Sequence, residues 1–179
     1  VPMEDTDLKH HFKKFFGCFC RENSGRFISG ILAPALNARI GISDKIKEDI
    51  QLIWQTGKPF FEQGKLRAKD HSTSVKVYDF IREMDYAYAA ADIVVSRAGA
   101  LSISELSLLS KPSILVPSPN VAEDHQTKNA QALADVGAAL LIPENRIPHQ
   151  LISMVLDVMQ NDTMRTQLSK AMRPLQQPH

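Results

Sequence analysis

The segment SRAGALSISE, Ser96 to Glu105, places a glycine and a small alanine between two apolar runs, a spacing suited to holding an anion. Gly99 permits a tight turn, and Ala100 lets another molecule approach the backbone closely. If a helix follows, the amides of its first turn lack intrahelical acceptors, and the aligned peptide dipoles favour negative charge there. Backbone N–H groups around Gly99, Ala100 and Leu101 would then hold a diphosphate without a lysine beneath it. The same residues admit a second reading: Ser102-Ile103-Ser104-Glu105 matches a capping box, in which Ser102 binds an amide of the first turn and Glu105 reaches back. Arg97 either supplies positive charge that positions an anion or is a solvated arginine at a strand exit.

A second polar cluster, VPSPNVAEDHQTKNA, carries Gln126 and Asn129, each both donor and acceptor, with Asp124 and His125 beside them. Such groups suit a sugar or a nucleotide, and they suit equally a solvated loop before an amphipathic helix. Phe80, Ile81 and Met84 would line a planar base or pack in a core, and Thr56-Gly57-Lys58 forms a small turn with a cation. Other chemistries lack their signatures. No serine is fixed beside Asp124 and His125 for a triad. Gly99 lacks the repeated glycines of G-x-G-x-x-G, and no GxxxxGK[ST] sequence occurs. Asp79, Glu83, Asp85, Asp92 and Glu105 have no coordination spacing, Cys18 and Cys20 lack further zinc ligands, and the pair His10-His11 lacks a third. No metal is assigned.

Placing these groups in one cleft requires strands alternating with helices. A strand is expected near Phe15 to Cys20, then the loop RENSGRFISG, then an apolar segment from Phe27 to Ala38 read as a helix bounded or kinked by Pro34. From residue 49 the pattern sharpens. IQLIWQ reads as a strand with TGKPF as its exit turn, Phe60 to Ala68 as a short helix, and Ser74 to Phe80 as the next strand. Met84 to Ala90 reads as a helix, ADIVVS as a strand, RAGALS as a turn, Ile103 to Leu109 as a helix and KPSILVP as a strand. Asn120 to Asp124 form a polar loop. Gln126 to Val136 follow as a helix with Ala130, Leu133 and Val136 toward the sheet and Gly137 ending it, and AALLIP is the final strand. Pro148 opens a helix to about Met159, and Thr163 to Met172 form another with Asn161 or Asp162 near its start. The expected fold class is α/β, a Rossmann-like parallel sheet flanked by helices, with ligands beyond the strand C-termini.

At 179 residues and 20.0 kDa the chain has the length of one ordinary domain. Its 21 Lys+Arg balance 20 Asp+Glu, so no global field points to nucleic acid. No apolar run is long enough to span a membrane, and no basic, then apolar segment resembles a signal peptide, so the expected compartment is cytoplasmic. The basic, aromatic KHHFKKFFGCFC is either a strand feeding the core or a peripheral membrane or partner contact.

Taken in order, QTGK, YDFIREMDYAYAAADIVVSRAGALSISE, KPSILVPSPNVAEDHQTKNAQAL and VGAALLI resemble the C-terminal half of the bacterial N-acetylglucosaminyltransferase family that makes lipid II, over approximately Asp49 to Ile142. The resemblance implies one Rossmann-like domain of a GT-B glycosyltransferase, binding UDP-N-acetylglucosamine as donor substrate with no cofactor. It implies that Phe80, Ile81 and Met84 surround the uracil, that Ala100, Leu101 and Ser102 face the diphosphate, and that Glu105 takes the ribose hydroxyls. His125, Gln126 and Asn129 would lie near the donor sugar or its phosphates, His125 standing where the family often has glutamine. Thr56 and Gly57 match the family's QTG turn and would act by positioning. Residues 49–172 form the donor-binding core and its terminal helices, 173–179 a tail, and 1–48 a divergent part. There the family's GGSLGAR-like loop is reduced to an echo at Ser24, Gly25 and Arg26. The family's partners are an N-terminal acceptor domain and an undecaprenyl-diphosphate-linked muramyl-pentapeptide, at the cytoplasmic face of the bacterial inner membrane. The isolated chain is expected to bind donor without efficient transfer, its catalytic groups lying elsewhere. The alternatives are the donor domain of another UDP-sugar enzyme and a structural or interaction domain descended from one.

Overall fold

Short runs rich in Ile, Val and Leu, alternating with helices from residue 50 onward, build a six-stranded parallel sheet in this computed structural model, which describes residues 26–31, 50–69, 75–119 and 124–175. The strands are β1 (Arg26–Ile31), β2 (Ile50–Gln55), β3 (Val75–Tyr78), β4 (Ile93–Ser96), β5 (Ser113–Leu115) and β6 (Leu140–Leu141). The helices are α1 (Phe61–Ala68), α2 (Met84–Ala90), α3 (Ala100–Leu109), α4 (His125–Asp135), α5 (Ile147–Gln160) and α6 (Asp162–Met172), with 3-10 turns at Lys58–Phe60, Glu144–Arg146 and Arg173–Leu175. Strand order is β3-β2-β1-β4-β5-β6, every pair parallel. In such a doubly wound sheet the order reverses between the first strand and its neighbour on the other side. The crevice beyond the carboxyl ends of β1 and β4 is therefore the natural ligand position.

The period of two along each strand divides the core between the two faces of the sheet. Leu52, Trp54, Ile93, Val95 and Ile114 pack on one side against Leu151, Val155 and Val158 of α5 and Leu168 of α6. Val94 and Leu115 pack on the other against Tyr88, Leu106, Ala130 and Leu133, and Ile53 against Ala87 and Ala90 of α2. Helix termini follow the local chemistry. Pro148 lies in the first turn of α5, the Asn161 side chain accepts from the Met164 amide at the start of α6, and Gly137 leaves α4 at φ +68°.

Three expectations change. Residues 27–31, expected to begin a helix, are instead most of β1, paired on both edges, Ser29 with Ile53 of β2 and Val94 of β4. Ser29 and Gly30 are weak helix formers, and ladder bonds to two neighbours outweigh the local apolar periodicity. Helix α3 begins at Ala100 rather than Ile103. Val136 is 57 % exposed instead of facing the sheet, because α4 ends one residue before it, while Ala130 and Leu133 are buried as expected. The expected strand at Phe15 to Cys20, the pairs Cys18/Cys20 and His10/His11, Ser24 and Gly25, residues 120–123 and residues 176–179 lie outside the described residues.

Gly64 in α1 is set by packing. A Cβ there would stand 2.7 Å from Thr56 Cγ2 and 3.1 Å from Val77 Cγ1. Thr56 has little room to yield, being 1 % exposed with its hydroxyl donating to the carbonyls of Gly57 and Tyr78. Gly64→Ala would gain about 1 kcal/mol of helix propensity and lose roughly 1–3 kcal/mol to overpacking. We expect overpacking to win, with a lower urea midpoint; a raised midpoint would show that Thr56 repacks freely.

Candidate functional site

β4 is buried at all four positions and delivers the chain to Arg97, Ala98 and Gly99 at the carboxyl edge of the sheet. Gly99 is the N-cap of α3 with φ −68° and ψ 149°, an extended conformation that any residue adopts, so the turn does not use glycine's special freedom. What Gly99 provides is space, since a Cβ built there meets nothing within 4 Å. No side chain caps the helix, whose backbone ladder begins with the Ile103 N–H donating to the Gly99 carbonyl at 3.0 Å. The amides of Ala100, Leu101 and Ser102 thus stand at the positive end of a ten-residue helix beside open space. That geometry suits an anion.

The capping box is not formed. Ser102 is the third residue of α3 and Glu105 the sixth, because the helix starts as soon as Gly99 leaves β4. The Ser104 hydroxyl instead donates to the Ala100 carbonyl at 3.0 Å. Glu105 turns toward α2, where its Oε2 accepts from the Tyr88 hydroxyl at 3.0 Å. Tyr88 is 2 % exposed. Burial first, and then the neighbouring Glu105 carboxylate, push its phenol well above the ordinary range, so it remains a donor.

Arg97 does not extend toward the open space. Its Nη1 donates to the carbonyls of Val116 at 3.2 Å and Pro117 at 3.1 Å, and to Glu144 Oε2 at 2.8 Å. One guanidinium therefore joins the exits of β4, β5 and β6, and its charge is balanced by a carboxylate in a largely buried pair. Its observed part is to tie these three strand exits together.

Beyond β5, Gln126 Oε1 accepts from the Ser118 amide at 2.9 Å, and Asn129 Nδ2 donates to the Ala98 carbonyl at 3.3 Å. Asn129 thereby brings α4 against the turn that opens α3. Each side chain keeps its other amide atom for further hydrogen bonds. His125 begins α4 and is exposed; Asp124, the N-cap, has φ 55°.

On the other flank, Phe80 is 62 % exposed while Ile81 is 3 % exposed and packs with Ile53, Ala87 and Ala90. Met84 packs partly buried against both neighbouring clusters. The Ile81 amide donates to Gln55 Oε1 at 2.8 Å, and the Phe80 side chain is the exposed feature of this turn. Thr56 links β2 to β3 through its amide and hydroxyl, both donating to the Tyr78 carbonyl, and Gly57 has φ +75°. These two residues follow β2, which β1 separates from β4.

The structure thus gathers Ala100, Leu101, Ser102, Glu105 and Asn129 around the start of α3, while Phe80, Ile81 and Met84 form a second cluster leading into α2. Gln55, Tyr88 and Glu144 were not singled out from sequence. Gln55 precedes the Thr56-Gly57 turn, which is a local signal; Tyr88 shares its helix with Asp85 and Tyr86, so nothing local singles it out, and Glu144 has no local signal either. A groove of about 420 Å³ runs between α3 and α4, lined by residues such as Ile103, Leu108, Leu133 and Leu175. Among the candidate site residues it meets only Ala100 and Asn129.

Residues 31–177 match the glycosyltransferase family 28 C-terminal domain. A Porphyromonas gingivalis UDP-N-acetylglucosamine–N-acetylmuramyl-(pentapeptide) pyrophosphoryl-undecaprenol N-acetylglucosamine transferase is 47% identical over 171 residues, 92% of this chain and 45% of that protein. The protein of the same description from Parabacteroides distasonis is 44% identical over 180 residues, 98% of this chain and 49% of its own length. The crystal structure of Acinetobacter baumannii MurG superposes with a TM-score of 0.75 at 28% identity, over 89% of this chain and 51% of that one. The chain spans about half the length of the curated relatives it matches.

Proposed function

Because the chain belongs to glycosyltransferase family 28, matching its C-terminal domain over most of its length, we propose that it is the donor-binding half of an enzyme that transfers N-acetylglucosamine from UDP-N-acetylglucosamine to undecaprenyl-diphosphate-linked muramyl-pentapeptide. The observation that carries this reading is the uncapped start of α3 at the switch point of the sheet, with open space at Gly99 and with Glu105 and Asn129 on adjoining turns. The N-acetylglucosamine transferase activity of these relatives supports the choice of donor and acceptor.

In this reading the amides of Ala100, Leu101 and Ser102 hold the diphosphate, Glu105 accepts from the ribose hydroxyls, and Phe80, Ile81 and Met84 flank the uracil. Gln126 and Asn129, with His125, lie near the donor sugar and phosphates. Arg97, Thr56 and Gly57 position the loops. The acceptor hydroxyl attacks the anomeric carbon, the bond to the UDP oxygen breaks, and negative charge grows on the diphosphate. Amides already aimed at that charge need no reorganisation as it develops, which is where a helix N-terminus lowers the barrier. The base that takes the acceptor's proton belongs to the acceptor half, so residues 49–172 bind donor and do not transfer efficiently alone. Among the described residues no helix is long and apolar enough to cross a membrane. We place the whole enzyme as a peripheral protein on the cytoplasmic face of the inner membrane, where its lipid-linked acceptor lies.

Calorimetry with UDP-N-acetylglucosamine, UDP and ADP tests the proposal. Saturable binding of both uridine compounds and much weaker binding of ADP is expected. Folded protein that binds no uridine nucleotide at millimolar concentration would overturn it.

A further inference from the structure

We propose that Tyr88 is a positioning residue for ribose recognition, holding the Glu105 carboxylate across the α2–α3 gap in the orientation that receives the sugar's vicinal hydroxyls. The inference rests on the proposed role of Glu105 and extends it to a residue that touches no part of the donor.

The geometry is direct. The Tyr88 hydroxyl donates to Glu105 Oε2 at 3.0 Å. The Tyr88 ring is 2 % exposed and packs with Val94, Ala98, Leu106 and Leu115, so its hydroxyl is fixed by the core. Glu105 is only partly buried and sits on the face of α3 toward α2. A carboxylate offers about four lone-pair sites. With one occupied by a rigid phenol, the carboxylate plane is set while Oε1 stays available for a diol. A glutamate without that anchor would have to lose rotamer freedom when ligand binds, which weakens binding.

The placement also connects two parts of the site. α2 starts at Met84, directly after Phe80 and Ile81, and Tyr88 lies one turn into it; α3 carries the anion-facing amides and Glu105. The Tyr88–Glu105 bond is therefore a polar link between the turn proposed for the base and the helix proposed for the ribose and diphosphate.

The test compares UDP with 2′-deoxy-UDP by calorimetry for the unaltered chain, Tyr88→Phe, Glu105→Gln and the double variant, with thermal melts to verify folding. Phenylalanine keeps the buried ring. The unaltered chain should prefer UDP about tenfold or more. Tyr88→Phe should weaken UDP binding roughly three- to tenfold and leave 2′-deoxy-UDP nearly unchanged, so that the preference collapses. Added to Glu105→Gln, it should change the preference no further. If the unaltered chain binds both nucleotides equally, the ribose role of Glu105 is wrong and the Tyr88 proposal falls with it. If the unaltered chain discriminates and Tyr88→Phe discriminates equally, the Tyr88 proposal alone fails. A purely structural tyrosine would weaken both nucleotides together and leave their ratio intact, which would also overturn it.

Discussion

Replacing Arg97 with methionine is expected to lower the unfolding free energy by about 3–5 kcal/mol, the range for removing one partner of a buried ion pair. The side chains of Arg97 and Glu144 are only 11% and 15% exposed, so Glu144 would be left with its charge largely out of water. The carbonyls of Val116 and Pro117 would lose a donor in the same step. The loss comes from stranding these groups more than from the attraction itself, and Arg97→Met with Glu144→Gln should recover part of it. Urea denaturation of both variants measures this. A loss below about 1 kcal/mol, as for an exposed pair, would mean that water reaches Glu144 freely. Binding of UDP-N-acetylglucosamine should weaken as well, because this guanidinium joins the three strand exits that frame the anion position.

Glu105→Gln separates fold from binding. Gln Oε1 can still accept from Tyr88, and the start of α3 does not depend on this side chain, so stability should stay within about 0.5 kcal/mol, as for a change away from core contacts. UDP affinity should nevertheless fall about tenfold or more, since hydrogen bonds to a charged acceptor are worth roughly 1.5–3 kcal/mol. Calorimetry beside a thermal melt reads both. Unchanged affinity would remove Glu105 from the ribose site. A large loss of stability would mean that its bond to Tyr88 serves packing first.

Much of the fold was legible locally. ADIVVS and PSILVP are apolar on both faces, as strands covered by helices must be, IQLIWQ is apolar at Leu52, Ile53 and Trp54, and Pro148, Asn161 and Gly137 mark helix ends by their own backbone and side-chain chemistry. The Rossmann-like class and the turn after ADIVVS follow from that alternation alone. Residues 27–31 read as the start of a helix from Phe27 to Ala38 because a run of apolar residues does not by itself separate a helix from a buried strand, and the decision lies with β2 and β4, their partners on either edge.

The candidate site divides along the same line. Types and spacing in SRAGALSISE mark a candidate anion position at the start of a helix, which the structure shows to be uncapped, and Gln126 and Asn129 enter as candidates through their paired donors and acceptors. The capping box was wrong because its motif specifies which residues could bond, whereas the first helical residue depends on where β4 releases the chain. Arg97 was ambiguous in sequence because its partners are Val116, Pro117 and Glu144, up to 47 residues away. Glu105 meets Tyr88 17 residues away, and Gln55 meets Ile81 26 residues away. The sequence alone determined the local propensities, the alternation of elements and the chemical types available at each strand exit. Only the tertiary structure decided which of those groups face one another, because parallel strands adjacent in space are joined by long crossovers, and the sequence pattern of one unit carries no record of its neighbour's register.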